Sequence, residues 1–176
     1  MKKILLLIVV FSLFGNLYSQ TWVKIDKTNP DYSFSVPGQP LIRDTMNIRI
    51  AYFKSDSTAA FQVIEFKDTP LDSTNAGFVS ALQESNGDTL MALVHIITGV
   101  NNALVTNSQV ITTFPAYKGL EVSMSYSNFY PGRNLIVHTR FFYNIHSLLA
   151  FSITGTDDHL TQLESDKDIF FNSIAF

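Results

Sequence analysis

Apolar and polar residues alternate along much of this chain, and the alternation predicts where β-strands form. Tyr32 to Val36 alternates apolar with small polar residues, and Pro37 to Pro40 then ends that strand. Thr21 to Asp26 is a short strand candidate that precedes it, and residues 29–31, Asn-Pro-Asp, separate the two. Residues 46–54 and 59–67 share the same period and are joined by a short polar segment, which is typical of a β-hairpin. The first part of the chain is therefore predicted to contain two short strands and a hairpin.

The hydrophobic period changes after Pro70. Residues 72–74, Asp-Ser-Thr, are favourable helix N-caps, and the apolar positions after them recur at spacings of three and four. This pattern predicts a helix in two pieces, with a break at Gly87. A buried strand over Met91 to Val100 is the alternative, because a short apolar run does not distinguish the two. The apolar positions of the helical pattern are Phe78, Ala81, Leu82, Leu90, Met91, Val94 and Ile97.

Strand patterns return after this helical region. Val110 to Phe114 is one candidate, and Leu120 to Tyr126 alternates strictly between apolar and polar residues. Residues 127–133 contain a Pro-Gly pair and are predicted to form a loop. Residues 134–143 and 148–155 form the most apolar hairpin of the chain, which predicts central strands covered on both faces.

The last segment has the pattern of a helix. Thr156 is followed by two aspartates, and acidic residues are favoured in the first turn of a helix. The overall order of elements predicts an α+β domain in which helices lie against an antiparallel sheet of about six to seven strands. The apolar positions expected to share one face of this last helix are Leu160, Leu163, Phe170 and Ile174.

The first 19 residues have the pattern of a secretory signal peptide. Two lysines precede an apolar run from Ile4 to Phe14, which is too short to span a bilayer as a helix. We expect cleavage after Ser19 and export to the periplasm or out of the cell, leaving residues 20–176 as one domain without a transmembrane segment. An uncleaved N-terminal anchor is the alternative.

Charge and cysteine content narrow the possible partners. The whole chain carries a net charge of −3, and loss of two lysines with the signal peptide leaves 10 basic against 15 acidic residues, or −5. No basic cluster suits a phosphate backbone, so we do not expect nucleic acid as a partner. The chain has no cysteine, so its stability must come from the core rather than from disulfides.

No motif for catalysis, cofactor binding or metal binding is found. The serines occur in no nucleophile-elbow motif, and the glycines match no phosphate-binding loop. The histidines lack ligand spacing, and the best grouping is His138, His146 and His159 around the apolar hairpin. We therefore expect no catalytic residue, no metal and no cofactor.

The segment around the Pro-Gly pair is the one candidate binding site. Tyr126, Phe129, Tyr130 and Arg133 are residue types that often carry the binding energy of protein interfaces. The alternative is that these aromatic side chains fold back onto their own sheet.

Four short segments resemble the PsbP-like domain family. They are residues 32–40 (YSFSVPGQP), residues 67–70 (KDTP), Gly119 to Glu121, and Phe170 to Ile174 (FFNSI). The resemblance implies an antiparallel sheet sandwiched between helices, an α/β/α arrangement, and a module that binds or assembles rather than an enzyme. It implies no particular binding residues, because the matched positions are turn formers and core aromatic residues.

These observations give three functional hypotheses. The first is an exported, non-catalytic binding or assembly module that contacts a protein partner in the cell envelope. The second is a carrier of a small apolar ligand held between the sheet and a helix. The third is a hydrolase of unrecognised type, which would require a cleft with clustered polar groups and perturbed titration.

Overall fold

A computed structural model describes residues 21–28, 30–45, 48–54, 59–66, 104–144 and 147–176. The elements are β1 (Val23–Lys27), β2 (Tyr32–Val36), β3 (Leu41–Asp44), β4 (Ile48–Lys54), β5 (Ala59–Phe66), β6 (Leu104–Ile111), β7 (Lys118–Tyr130), β8 (Arg133–Tyr143), β9 (Leu148–Thr156), a 3-10 turn (Asp157–His159) and α1 (Leu160–Asn172).

Seven of these strands form one antiparallel sheet in the order β3-β4-β5-β9-β8-β7-β6, and β1 and β2 form a separate two-stranded ribbon. The predicted strand count and antiparallel arrangement are thus confirmed. β9 lies between β5 and β8, so it joins the early hairpin to the late one. The period-two pattern of each strand places one set of side chains toward α1 and the other set on the opposite face of the sheet.

The main core lies between the sheet, the ribbon and α1. Phe61 and Phe151 project from the sheet, Phe34 from the ribbon and Phe170 from α1. The Phe61 and Phe170 rings meet edge to face with centroids 5.3 Å apart, and Phe34 packs on Phe151 at 5.9 Å. An edge-to-face aromatic pair stabilises the fold by about 0.5–1.5 kcal/mol beyond the contribution of the apolar area that it buries. Aromatic packing thus holds the ribbon, the sheet and the helix together.

The ribbon is also tied to the residues that follow α1. Ser33 and Ala175 exchange two backbone hydrogen bonds as an isolated antiparallel bridge. The Ser35 amide donates to Ser173 Oγ at 2.8 Å. We call these contacts, between residues 33–35 and 173–175, the seam. They fix the ribbon over the face of the sheet that carries α1.

The opposite face of the central strands is buried as well. Ala150, with its neighbours on β5, β7 and β8, forms a second apolar cluster. The prediction that residues 134–143 and 148–155 form central strands covered on both faces is therefore confirmed. The buried members of this cluster are Ile64, Val122, Met124, Tyr126, Val137, Phe141 and Ala150.

Several predicted boundaries were wrong. β3 was not predicted, because all four of its residues are exposed and give no alternating pattern. β6 starts at Leu104 and ends at Ile111, so the candidate Val110 to Phe114 overlaps only its end. Leu160 was expected on the buried face of the last helix, but it is exposed, and Phe171 is buried. Leu160 is the first residue of α1, and its side chain lies at the exposed end of the face that Leu163 and Phe170 share.

Other predictions lie outside the described residues. These are the signal peptide at 1–19, the polar turn at 55–57, the segment 67–70, and the region 72–100 with its alternative helix and strand interpretations. In the described part, α1 alone represents the predicted helices, and it covers one face of the sheet. No helix among the described residues is long and apolar enough to cross a membrane.

Candidate functional site

Strands β7 and β8 extend past the strands beside them. Pairing of β6 with β7 begins at Ser125, and pairing of β9 with β8 begins at Leu135. Residues 127–134, here called the arm, lie beyond both points and are joined by a two-residue turn. The loop predicted over 127–133 is therefore a hairpin extension of the sheet.

Local conformation shapes the arm. Gly132 has φ of +73°, which an L-residue adopts only at a cost, and Pro131 before it has its φ fixed by the ring. Asn128 also has positive φ, at 55°, where β7 and β8 lose their regular register between Tyr126 and Tyr130. Asparagine tolerates this conformation better than most residues. The sequence thus specifies both the bulge and the turn.

Side-chain hydrogen bonds brace the arm against the start of the C-terminal helical region. Asn134 accepts a hydrogen bond from the Asn128 amide at 3.2 Å, and its own amide groups donate to both carboxylate oxygens of Asp157, at 3.1 and 2.9 Å. Arg133 forms an ion pair with Asp158 at 3.2 Å. These contacts reduce the conformational freedom that the arm would lose on binding a partner.

Three of the four predicted binding residues lie together at the tip of the arm. Phe129 and Tyr130 are 42% and 52% exposed, and their rings meet edge to face with centroids 4.9 Å apart. Arg133 is also exposed. Tyr126, by contrast, is only 2% exposed and packs in the second apolar cluster. The predicted binding segment is thus divided between an exposed tip and a buried base.

A second group of polar side chains lies between the sheet and α1, and we call it the polar cluster. Its members are Ser123, His138, Glu164 and Lys167. Ser123 and His138 are cross-strand neighbours on the helix side of the sheet, with Ser123 Oγ 2.8 Å from His138 Nδ1. Glu164 Oε1 lies 3.1 Å from His138 Nε2, and Lys167 forms an ion pair with Glu164.

The geometry favours one protonation state of the polar cluster. A neutral imidazole with its proton on Nε2 can accept from the Ser123 hydroxyl and face the Glu164 carboxylate with its N–H. Nε2 and Glu164 Oε1 are close enough for a hydrogen bond, but their angle is unfavourable and Nε2 makes no hydrogen bond. Burial lowers the pKa of His138, although Glu164 partly offsets this effect. Burial would raise the pKa of Glu164, but Lys167 and His138 hold it below its ordinary value.

Arg140 joins the same face of the sheet to the end of α1. Its Nε donates to Glu121 Oε2 at 2.6 Å, and its Nη1 donates to the Phe171 carbonyl at 3.0 Å. The guanidinium also lies 4.6 Å from the centroid of the Phe171 ring. Arg140 therefore satisfies a carbonyl near the C-terminus of the helix, where cations are favoured.

The polar cluster resembles a serine–histidine–carboxylate relay in its contacts, but two features of a nucleophilic site are absent from the described residues. Ser123 lies within β7 rather than on a strained turn. His138 is 4% exposed, so its ring is poorly accessible to a substrate. Sequence patterns could not reveal this cluster, since its members meet only through strand register and helix packing.

The predicted histidine grouping is not assembled in the described part of the chain. His138 belongs to the polar cluster, His159 lies 3.7 Å from Asp158 on the surface, and His146 lies outside the described residues. Within the described ranges, no three histidine or acidic side chains are placed to hold a metal ion.

A scan against protein-family models finds no match, and a search of curated proteins also finds none. Solved structures do match. Cyanobacterial PsbP (CyanoP) from Synechocystis sp. PCC 6803 aligns with a TM-score of 0.59 and 14% identity, over 92% of this chain and 95% of that chain.

Two further structures align with lower scores. PA94 from Pseudomonas aeruginosa, a protein of unknown function and putative regulator, gives a TM-score of 0.44 at 14% identity, over 73% of this chain and 90% of that chain. LpqN of Mycobacterium tuberculosis, involved in cell envelope biogenesis, gives a TM-score of 0.37 at 12% identity, over 91% of this chain and 86% of that chain. The sheet order, the helix packed on one face and the near-complete alignment with CyanoP lead to one conclusion: this chain has the PsbP-like fold.

Proposed function

We propose that the protein is an exported, non-catalytic binding module that contacts a protein partner in the cell envelope through the tip of the arm. The observation that carries this proposal is the exposed Phe129–Tyr130 pair on a hairpin extension that hydrogen bonds hold in place. The PsbP-like resemblance supports it, since it implies a module that binds or assembles.

The tip has the chemistry of an interface anchor. Aromatic and arginine side chains dominate binding hot spots, where truncation of one residue costs about 2 kcal/mol or more. Phe129 and Tyr130 offer large apolar surfaces with few rotatable bonds, and Arg133 offers donors beside them. Because the arm is braced before it binds, little further ordering is needed.

Charge supports a protein as the partner rather than nucleic acid. Arg133 is the one charged residue of the arm, and the sequence after Ser19 carries a net charge of −5. A phosphate backbone requires several clustered cations. A protein surface with an apolar pocket and a nearby acceptor for Arg133 fits this tip better.

Site-specific photo-crosslinking in the native cell tests the proposal. A photoreactive phenylalanine analogue at position 130 should give one discrete adduct of defined mass, and the same analogue at Tyr52, an exposed aromatic position on the sheet, should not. Adding Phe129→Ser to the variant with the analogue at position 130 should remove most of the adduct. Equal adduct patterns from positions 130 and 52 would contradict the proposal.

Export is the second part of the proposal and has its own test. The pattern of residues 1–19 supports removal of a signal peptide. Intact-mass measurement of the protein from its native cell should show a chain that begins at Gln20. A full-length mass would instead support the N-terminal anchor.

A hydrolase is the second candidate function, because Ser123, His138 and Glu164 lie within relay distances of one another. In such a reaction the Ser123 oxygen would bond to an acyl carbon while His138 Nδ1 takes the hydroxyl proton. The bond to the leaving group would then break as His138 passes it that proton, and water would release the acyl group from Ser123. A fluorophosphonate probe, which labels activated serines, should then label the protein, and Ser123→Ala should abolish labelling. Absence of labelling would remove this candidate.

The apolar-carrier hypothesis receives less support from the described residues. A carrier of this kind would need space between the sheet and α1. Leu163 and Phe170 are instead fully buried against sheet residues, and aromatic rings from α1, the ribbon and the sheet contact one another across this interface. We therefore rank this hypothesis behind the other two.

A further inference from the structure

A small cavity lies between the ribbon and the sheet strands β3, β4 and β5. Its volume is about 70 Å³. One water needs roughly 10–15 Å³ of such space, so the cavity has room for about five to seven waters or for a ligand of similar size. It is far smaller than the ~300–1,000 Å³ of sites for drug-sized ligands. Its lining residues are Ile25, Asp26, Lys27, Tyr32, Phe34, Ile42, Arg49, Ala51 and Val63.

The lining separates into an apolar part and a charged part. Ile25, Phe34 and Val63 are apolar side chains contributed by the ribbon and by β5. Arg49 lines the cavity from β4 and is the charged residue that the sheet contributes. Its cross-strand neighbours are Asp44 on β3 and the buried Glu65 on β5. Among the residues that the structure describes, neither of these carboxylates lies within ion-pair distance of Arg49. This arrangement places a cation beside a small apolar space.

The other polar groups of the cavity have partners of their own. Asp26 forms an ion pair with Lys24 at 2.6 Å. The Tyr32 hydroxyl donates to the buried carboxylate of Glu65 at 3.1 Å. Burial and the nearby Glu65 charge raise the pKa of Tyr32, so the phenol stays neutral and keeps its hydrogen bond. Lys27, the second cation of the lining, donates to the Thr28 carbonyl at 3.1 Å. Arg49 is therefore the lining group best able to bind a ligand.

We infer that this cavity binds a short-chain carboxylate, with its aliphatic tail among Ile25, Phe34 and Val63 and its carboxylate on Arg49. A guanidinium matches a carboxylate through two parallel hydrogen bonds, which an alcohol cannot reproduce and an amine cannot accept. The cavity is a separate site from the arm, so this inference does not depend on the proposed partner.

Titration of the isotope-labelled mature protein with three ligands of equal chain length tests the inference. Butyrate should give saturable amide shifts in the millimolar range at Phe34, Ala51 and Val63, as expected for a ligand with few heavy atoms. Butylamine and butanol should give no saturable shifts at these positions. Saturable binding of all three, or of none, would overturn the inference.

Two variants and a control locate the binding. Arg49→Gln should weaken butyrate about 10-fold or more, because a hydrogen bond to a charged group is lost. Arg43→Gln, on the exposed edge strand β3 and outside the lining, should leave butyrate affinity unchanged. Ala51→Ile should fill the cavity and block butyrate while the amide spectrum stays dispersed. Equal butyrate affinity in the wild type and Arg49→Gln would overturn the assignment to Arg49.

Discussion

His138 shows how a single residue can make the fold sensitive to pH. Its ring is buried between β8 and α1, with Ser123 and Glu121 from β7, and Glu164 and Lys167 from α1, as its polar surroundings. Burial disfavours the charged imidazolium more than Glu164 and Glu121 favour it. The folded protein therefore binds a proton at this site less readily than the unfolded chain does.

The lowered pKa predicts that His138 reduces stability in acid. Stability is full above the ordinary histidine pKa of 6.5 and falls as the pH drops from there toward the folded value. Between about pH 7.5 and about pH 5, the wild type should lose about 1 kcal/mol more than His138→Gln. Urea unfolding at both pH values measures this difference. If the free energy of unfolding falls equally in both proteins, groups other than His138 cause the pH sensitivity.

Asp166 is expected to change stability with pH in the opposite direction to His138: its contribution falls as the pH rises. Its side chain is 2% exposed on α1, Gln162 donates to one of its oxygens at 2.8 Å, and the other oxygen makes no hydrogen bond. Burial raises its pKa, so its contribution to stability is full below the ordinary value of 3.8 and is lost as the pH rises through the folded value.

Asp166→Asn should therefore stabilise the protein at neutral pH by about 1 kcal/mol, since it removes a buried charge. The gain should shrink in acid, where the wild-type carboxyl is protonated. Asp168→Asn on the exposed side of α1 is the matched control and should change little. A loss of stability in Asp166→Asn at neutral pH would show that the carboxylate has a favourable role.

The positions of individual side chains were only partly predictable. The aromatic pair at the arm could be chosen from residue types beside a Pro-Gly turn. The polar cluster could not, because Ser123 and His138 are 15 positions apart and meet through the β7–β8 register. Glu164 reaches His138 only because α1 packs on the sheet, and no local sequence pattern predicts how the helix packs.

At the scale of elements, the arm depends on turn conformation more than on side-chain packing. A Cβ added at Gly132 would meet no atom within 4 Å, so the cost of substitution there is conformational. We expect Gly132→Ala to lower the free energy of unfolding by about 1 kcal/mol through strain at positive φ. Gly132→Asn should cost less, since asparagine tolerates this conformation. Thermal unfolding compares the two, and equal losses would point to an effect other than backbone strain.

Element boundaries followed the strength of the local pattern. β8 and β9 were predicted within a residue or two, because both are buried on two faces and bounded by turn residues. β3 was not predicted, because an exposed edge strand buries neither face and so has no alternating hydrophobic pattern. The extension of β7 to Tyr130 was not predicted, because the bulge at Asn128 interrupts the alternation of apolar and polar residues.

At the scale of the whole molecule, aromatic contacts join segments that are distant in sequence. The Phe176 ring lies 4.0 Å from Tyr117, 4.9 Å from Phe114 and 5.0 Å from Phe142, measured between centroids. These contacts close the core at the β6–β7 connection. The antiparallel sheet and the C-terminal helix were predictable from the hydrophobic pattern, but contacts between rings this distant in sequence depend on three-dimensional packing.

Phe176→Ala should therefore destabilise the protein by about 2 kcal/mol, less than the loss of a fully buried phenylalanine, since Phe176 is half-buried. Leu160→Ala, an exposed position on α1, is the control and should stay within about 0.5 kcal/mol of the wild type. Equilibrium urea unfolding measures both. A Phe176→Ala loss no greater than that of the control would contradict this role for the ring.

The seam has a consequence for the timing of folding. Ser35 and Ser173 are 138 positions apart, so β2 gains these contacts only when almost the entire polypeptide is available. A chain that is exported through an N-terminal signal peptide, as proposed, would begin to cross the membrane before residues 173–175 could complete the seam. Late closure would keep the precursor in a form that an export channel can thread.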